Sequence, residues 1–364
     1  MKSNAKQNAP TLCAPTLNTP TLDEWKRLYE LAGELKKLAP WEWMNETEIF
    51  GVENPDTREM GFISPMGMMG EHLSVGVYLG AEGLYGFWNL QNGEIEADPF
   101  ALFEIPQLQV SFEDRENVEK QDRDVHKKLD LKFRGAQNYP LFRSIKPGFL
   151  PWFITSDEAQ MLICAIEQTL AVAPLVKENS ALLIDESDVE NEVVLMRVAE
   201  KNSAKLVWRD EWREIPPPAE KAFTIAVPQE WVDELKNFPQ AKNFVLEAAL
   251  FVMPSPVAEK GKRPYFPKML MLADKQSGTI LDVHLIQPQE TEAENYAEIS
   301  RHFIEALRKT EVRPQQIRVD SNLLFELLKG FAQQLDIKLR QTDNLSAIEA
   351  AKKEVFGFFG GPMF

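Results

Sequence analysis

Only two cysteines occur in the 364 residues, Cys13 and Cys164. One falls in a Pro-rich N-terminal stretch and the other in a helical pattern, so neither a disulfide framework nor a thiolate zinc site is supported. Two free thiols fit a reducing compartment. No uninterrupted apolar run approaches the roughly 18 residues that cross a bilayer, and the N-terminus lacks the charged-then-apolar order of a secretory leader. A cytoplasmic location without a membrane partner is expected. Positive charge is also scarce: 40 Lys+Arg stand against 56 Asp+Glu, a formal net of −16. Residues 1–100 hold 7 basic and 15 acidic side chains, whereas residues 261–364 hold 14 of each. No segment forms a basic stripe, which disfavours nucleic acid as a partner.

Several chemical signatures are missing too. His72, His126, His284 and His302 show no metal-ligand spacing and no His-Glu-x-x-His pattern. No serine sits in Gly-x-Ser-x-Gly, and "GMMG" and "GAEG" lack the Lys-Ser/Thr or strand-to-helix setting of a phosphate loop. No metal or cofactor is expected.

What is present is ordinary globular material, 44% hydrophobic and 26% charged, in a chain long enough for two or three domains. "APTLCAPTLNTPTL" is a short Pro-Thr-Leu repeat, and residues 1–20 read as a disordered tail. A domain over 21–214 follows. Trp25, Leu28, Leu31, Ala32, Leu35 and Leu38 have helical spacing, and Pro40 stops the helix. Strands are expected at 49–52, 59–64 and 73–79, a helix at 81–90, the strand "QLQVSF" and a charged helix at 115–129. "MGMMGEH" reads as a tight hairpin. Residues 134–152, with Pro140, Pro147 and Pro151, read as a loop, and Thr155 with Glu158 forms a capping box that opens a helix. Strands at 181–185, 192–198 and 205–213 complete the domain, and "IPPPAEK" (215–221) is a stiff linker.

The remaining domain, 222–364, opens with a strand at 223–227 and a helix at 229–237. It then reads β-β-β-α-β-α-β-α: strands at 244–253, 268–274 and 279–286, a helix at 291–309, a strand at 316–319, a helix at 322–335, a strand at 337–341 and a helix at 345–357. That order, with "MLMLADKQSGTILDVHLI" and "RPQQIRVDSNLLFELLKGFAQQLDIKL", resembles the ribonuclease H-like fold of integrase cores. The fold class expected is therefore α+β, an N-terminal hairpin-and-helix domain followed by a ribonuclease H-like mixed sheet. The wording of nearly all of residues 23–357 resembles a two-part bacterial family of unknown function. It is carried by "PWEWM", "FGVENPDT", "MGMMGEHLSVGVYLGAEGL" and "LKFRGAQNYPLFRSIKPGFLPWFIT" in the first part and by "RPYFPKMLMLADKQSGTIL" in the second. This second resemblance implies no activity.

Two sites follow. Arg134, Arg143, Lys146 and Trp152 stand among aromatics in an otherwise acidic half, where forked guanidinium bonds and stacking suit a carboxylate, a phosphate or an acidic peptide. In the ribonuclease H-like scheme two-metal phosphoryl transfer needs converging carboxylates. The resemblance leaves Glu247 on the first strand, Asp320 at the end of the fourth, and Glu349 or Glu354 on the closing helix, an incomplete set. Asp274 and Gly278 suit a hairpin turn instead. The function expected is a non-catalytic binding or scaffold protein for a protein or a small anionic ligand. The alternative is a Mg²⁺-dependent nuclease or phosphotransferase using Glu247, Asp320 and Glu354.

Overall fold

The computed structural model describes residues 18–70, 72–93, 104–184, 193–202, 205–218, 228–289 and 291–358. The tail up to residue 17, with Cys13, and the strand expected at 223–227 lie outside the described residues. The chain forms two compact units. The first comprises residues up to 146 and 151–218; the second comprises 147–150 and everything from Ala219.

In the first unit, helix α1 (Leu22–Leu38) begins on a Thr21/Glu24 capping box and ends on Ala39 in the left-handed region, φ 51°. Strands β1 (Phe50–Glu53), β2 (Met60–Met66) and β3 (Ser74–Leu79) form an antiparallel meander. Helix α2 (Gly80–Gln91) and strand β4 (Gln107–Glu113) follow. The charged stretch at 115–129 is shorter than expected. Arg115–Asn117 is a single 3₁₀ turn, and helix α3 (Lys120–Lys128) starts only after Glu119, whose backbone N–H is held by Asp122.

The expected loop at 134–152 contains strand β5 (Tyr139–Ile145). Its prolines argued for a loop, yet β5 is the edge strand of the sheet, with β4 as its one laddered neighbour among the described strands and a single bridge at Ser144 on its outer side, and a missing N–H at Pro140 is tolerated there. Helix α4 (Ser156–Glu178) opens on the Thr155/Glu158 box and continues through Pro174. It is long and apolar enough to cross a bilayer by length and composition, with 61% of its apolar window buried inside the protein. The expected strand at 181–185 is replaced, over its described part, by turns in which Leu182 N–H donates to the Asn179 carbonyl and Ile184 N–H to that of Ala181. Strands β6 (Val193–Asn202) and β7 (Lys205–Glu214) pair as a hairpin, and β6 runs parallel to β1. The sheet order is β5-β4-β3-β2-β1-β6-β7. Helices α1 and α4 pack on one face around Leu28, Phe50, Val75, Leu108 and Leu162, and α2 covers Phe62, Leu84 and Met196 on the other.

In the second unit, helix α5 (Gln229–Asn237) precedes strands β8 (Gln240–Val252), β9 (Lys268–Asp274) and β10 (Ile280–Ile286). Helix α6 (Glu292–Lys309), strand β11 (Arg313–Val319), helix α7 (Asn322–Gln334), strand β12 (Lys338–Gln341) and helix α8 (Ser346–Phe358) complete it. The sheet order is β10-β9-β8-β11-β12, with β9 antiparallel to both neighbours and β11 parallel to both of its own. Helices α6 and α7 bury Ile299, Phe303, Leu307, Leu324, Leu328 and Phe331 against one face. Helix α8 buries Ala347, Ile348 and Ala351 against Ala249, Met271 and Ala273 on the other.

Asp274 is the first residue of a turn. Its backbone carbonyl accepts from Gly278 N–H at 2.9 Å, and its carboxylate accepts from the Gln276 and Ser277 amides at 3.2 Å and the Ser277 hydroxyl at 2.7 Å. Gly278 takes φ 72° there, a conformation that a Cβ disfavours. Burial pushes the Asp274 carboxyl up, and these donors outweigh it, so its pKa lies below the usual range.

Candidate functional site

The four residues singled out around β5 do not converge. The Arg143 guanidinium is held in a fork by Asp122, Nη1–Oδ1 3.0 Å and Nη2–Oδ2 2.7 Å, and it lies 4.6 Å over the Phe153 ring. Both partners are sequestered, at 12% and 6% side-chain exposure. Lys146 Nζ lies 3.5 Å from Glu158 Oε1. Trp152 forms a two-way backbone bridge with Ser144, at 2.8 and 2.9 Å, and its ring leans on Phe153. Arg143 and Lys146 thus tie the β5 segment to α3 and to the start of α4.

Arg134 is placed differently. It lines an open pocket of about 830 Å³ together with Arg115, His126, Lys132, Phe133 and Tyr139, and with Asp114 and Glu116. The loop is pinned rather than loose. Gln137 N–H donates to Asp114 Oδ1 at 2.8 Å, Asn138 Nδ2 donates to the Arg134 carbonyl at 2.8 Å, and the Tyr139 hydroxyl donates to the Phe133 carbonyl at 3.1 Å. Lys132 Nζ lies 3.5 Å from Asp130. Among the described residues, Arg115 and Arg134 make no side-chain hydrogen bond or ion pair, whereas Arg27, Arg58, Arg143, Arg197 and Arg213 each hold a carboxylate.

His126 is the buried member of the pocket. It is 8% exposed, its ring meets those of Tyr29 and Phe133 at 5.2 and 5.0 Å, and its Nε2 has no hydrogen-bond partner. Burial pulls its pKa below the ordinary histidine value, against the opposing pull of the Asp122 carboxylate. A buried imidazole with one unused nitrogen therefore lines the same pocket as two guanidiniums that are unpaired among the described residues. Sequence reading found only Arg134 of this group. Arg115 and His126 lie in a charged stretch whose pattern gives no sign that the chain folds them together.

The acidic residues of the second unit come together with cations. Glu247, on β8, is fully buried. Its Oε2 accepts from the Ala347 N–H at the start of α8 at 2.8 Å, and its Oε1 lies 3.5 Å from Arg318 Nη1 on the adjacent strand β11. Asp320, just beyond β11, lies 3.5 Å from Lys352 Nζ, which also sits 4.4 Å over the Phe251 ring. Burial raises the Asp320 pKa and Lys352 opposes the shift. The cap of α7 is Ser321, whose Oγ accepts from Leu324 N–H. Glu354 is exposed on α8. Among the described residues, no group of three His, Cys, Asp or Glu is arranged to hold a metal ion. Arg318, Lys352 and a helix N-terminus supply positive charge to these carboxylates.

The strand order and directions of the second unit define a ribonuclease H-like mixed sheet, so the chain is a two-domain α+β protein. Residues 25–197 match the family model described as Domain of unknown function (DUF7309), and residues 231–356 match the one described as Domain of unknown function (DUF6930). No curated protein matches the chain significantly. Among solved structures, it is similar to the HTLV-2 integrase catalytic core domain in complex with magnesium. The dimeric form gives 17% identity and a TM-score of 0.23 over 32% of this chain and 72% of that one. The trimeric form gives 18% and 0.23 over 33% and 74%.

Proposed function

We propose that the protein is a non-catalytic binding protein whose first unit takes a small anionic ligand in the Arg134 pocket. The observation that carries this reading is the pair of guanidiniums of Arg115 and Arg134, unpaired among the described residues, in the same pocket as His126, whose buried Nε2 has no described partner. Planar guanidiniums offer forked donors that match a carboxylate or phosphate, and the Phe133 and Tyr139 rings supply apolar walls. Selectivity for small anions over long polyanions is supported by Asp114 and Glu116 at the same pocket, which disfavour extended negative charge.

The test is titration calorimetry with inorganic phosphate and with succinate. Arg134→Ala is expected to weaken the better of the two about tenfold, the loss of one charge-assisted contact of roughly 1.4 kcal/mol. Equal affinity in wild type and Arg134→Ala, or no binding of either anion, would sink the reading.

A further inference from the structure

The sheet of the second unit ends on β10, which has no described strand on its outer side. Leu281, Val283 and Leu285 alternate with Asp282 and His284 along it. The three apolar side chains are 36%, 42% and 54% exposed. Folded proteins usually shield such an edge with lysine, proline or a covering element, because its free N–H and C=O groups template pairing with another strand. β10 contains neither lysine nor proline.

The direction of the free groups is fixed by one contact. Val283 N–H donates to the Asp282 carboxylate at 3.0 Å, so its pairing with Met271 of β9 is of the non-hydrogen-bonded kind. The Val283 amide and carbonyl therefore face outwards, and so do those of Leu285 two residues on. The ladder with β9 is irregular at Leu281, where it ends its regular register.

The sequence of this edge is self-complementary. Read about Val283, Leu281-Asp282-Val283-His284-Leu285 places leucine at both flanks and an acid opposite a histidine. A second strand laid antiparallel on a two-fold axis at Val283 would set Val283 against its own copy, Leu281 against Leu285, and Asp282 against His284. Asp282 now accepts from the Val283 amide at 3.0 Å and from Lys309 Nζ at 2.9 Å. On pairing, that amide passes to the carbonyl of the second copy and the carboxylate turns to the facing imidazole. We propose that the chain forms an isologous homodimer by antiparallel pairing of β10 about Val283. Apolar pairs and an acid set against an imidazole both favour this register, and the short edge makes the association weak and concentration-dependent.

Two measurements on the full-length chain test it. In a Cys13→Ser background, Val283→Cys should cross-link to a disulfide dimer under mild oxidation, because a hydrogen-bonded cross-strand pair holds its Cα atoms about 5.5 Å apart, within disulfide reach. Leu285→Cys should not, since each Leu285 faces Leu281. In sedimentation velocity the wild type should gain mass with concentration, while Val283→Pro, which removes the outward N–H, stays monomeric with its melting temperature unchanged. The proposal is overturned by a wild type that stays monomeric up to several hundred micromolar (the weak end expected of small interfaces). It is equally overturned by a dimer that survives Val283→Pro, or by equal cross-linking of Leu285→Cys.

Discussion

Arg318 and Glu247 face each other from adjacent parallel strands, 3.5 Å from Nη1 to Oε1, and the carboxylate has no solvent exposure. Glu247 also receives the Ala347 N–H of α8, so this acid joins β8, β11 and α8 at one point. Arg318→Met should leave a buried charge with too little compensation and cost about 3–5 kcal/mol in urea unfolding of the second unit. Adding Glu247→Gln should recover part of that loss, because the uncompensated charge is then gone. A near-neutral Arg318→Met would mean that the α8 N-terminus alone meets the charge.

The same arrangement bears on metal. Lys352 stands beside Asp320 and Arg318 beside Glu247, so a divalent ion entering here would meet fixed positive charge. Millimolar Mg²⁺ or Mn²⁺ should leave the melting temperature of wild type and Asp320→Asn alike. A rise in wild type that Asp320→Asn abolishes would restore the nuclease reading.

Protonation of Asp320 carries its own signature. Its carboxyl is pushed up by burial, so the folded state holds the proton more tightly than the unfolded chain. The contribution to stability is fully present below the ordinary value of 3.8 and is lost as pH rises through the raised folded value. Asp320→Asn should therefore remove a fall in stability with rising pH that begins above 3.8, seen as a flatter urea-midpoint profile for the second unit.

His126 works in the opposite sense. Burial depresses its pKa below 6.5, so the stability it contributes is present above that value and lost as pH falls through the depressed one. Thermal melts should show the first unit weakening on acidification below 6.5, with a smaller slope in His126→Gln. His302, also depressed by burial and stacked at 3.2 Å on His284, gives the second unit a separate acid response that His126→Gln leaves in place.

Most of the ribonuclease H-like half was legible because its periodicities are clean. Phe303 and Leu307 repeat at helical spacing, and "MLMLAD" and "ILDVHLI" are joined by a turn that Asp274 and Gly278 spell out. β5 was hidden because Pro140 reads as a breaker, and only the sheet order reveals that this strand needs no ladder on its far side. The run Ala181–Ile184 looked like a strand because four apolar residues carry no period of their own. The pocket was half legible. Arg134 drew notice through its neighbours, but its meeting with Arg115 and His126 depends on how the α3 end and the 131–138 loop fold back, which no local pattern encodes.

The contrast between Arg134 and Arg143 gives the last prediction. Both stood in one aromatic stretch and looked interchangeable as anion anchors. Arg143 is forked onto Asp122 with both groups nearly sealed from water, so Arg143→Ala strands a buried carboxylate. It should cost about 3 kcal/mol or more in unfolding of the first unit. Arg134 is exposed and makes no ion pair among the described residues, so Arg134→Ala should change stability by less than about 0.5 kcal/mol while weakening anion binding. Comparing urea midpoints with phosphate and succinate affinities for the two variants separates the roles. If Arg143→Ala leaves stability intact and abolishes anion binding, the Asp122 fork is dispensable to the fold and the anion site must be moved from Arg134 to Arg143.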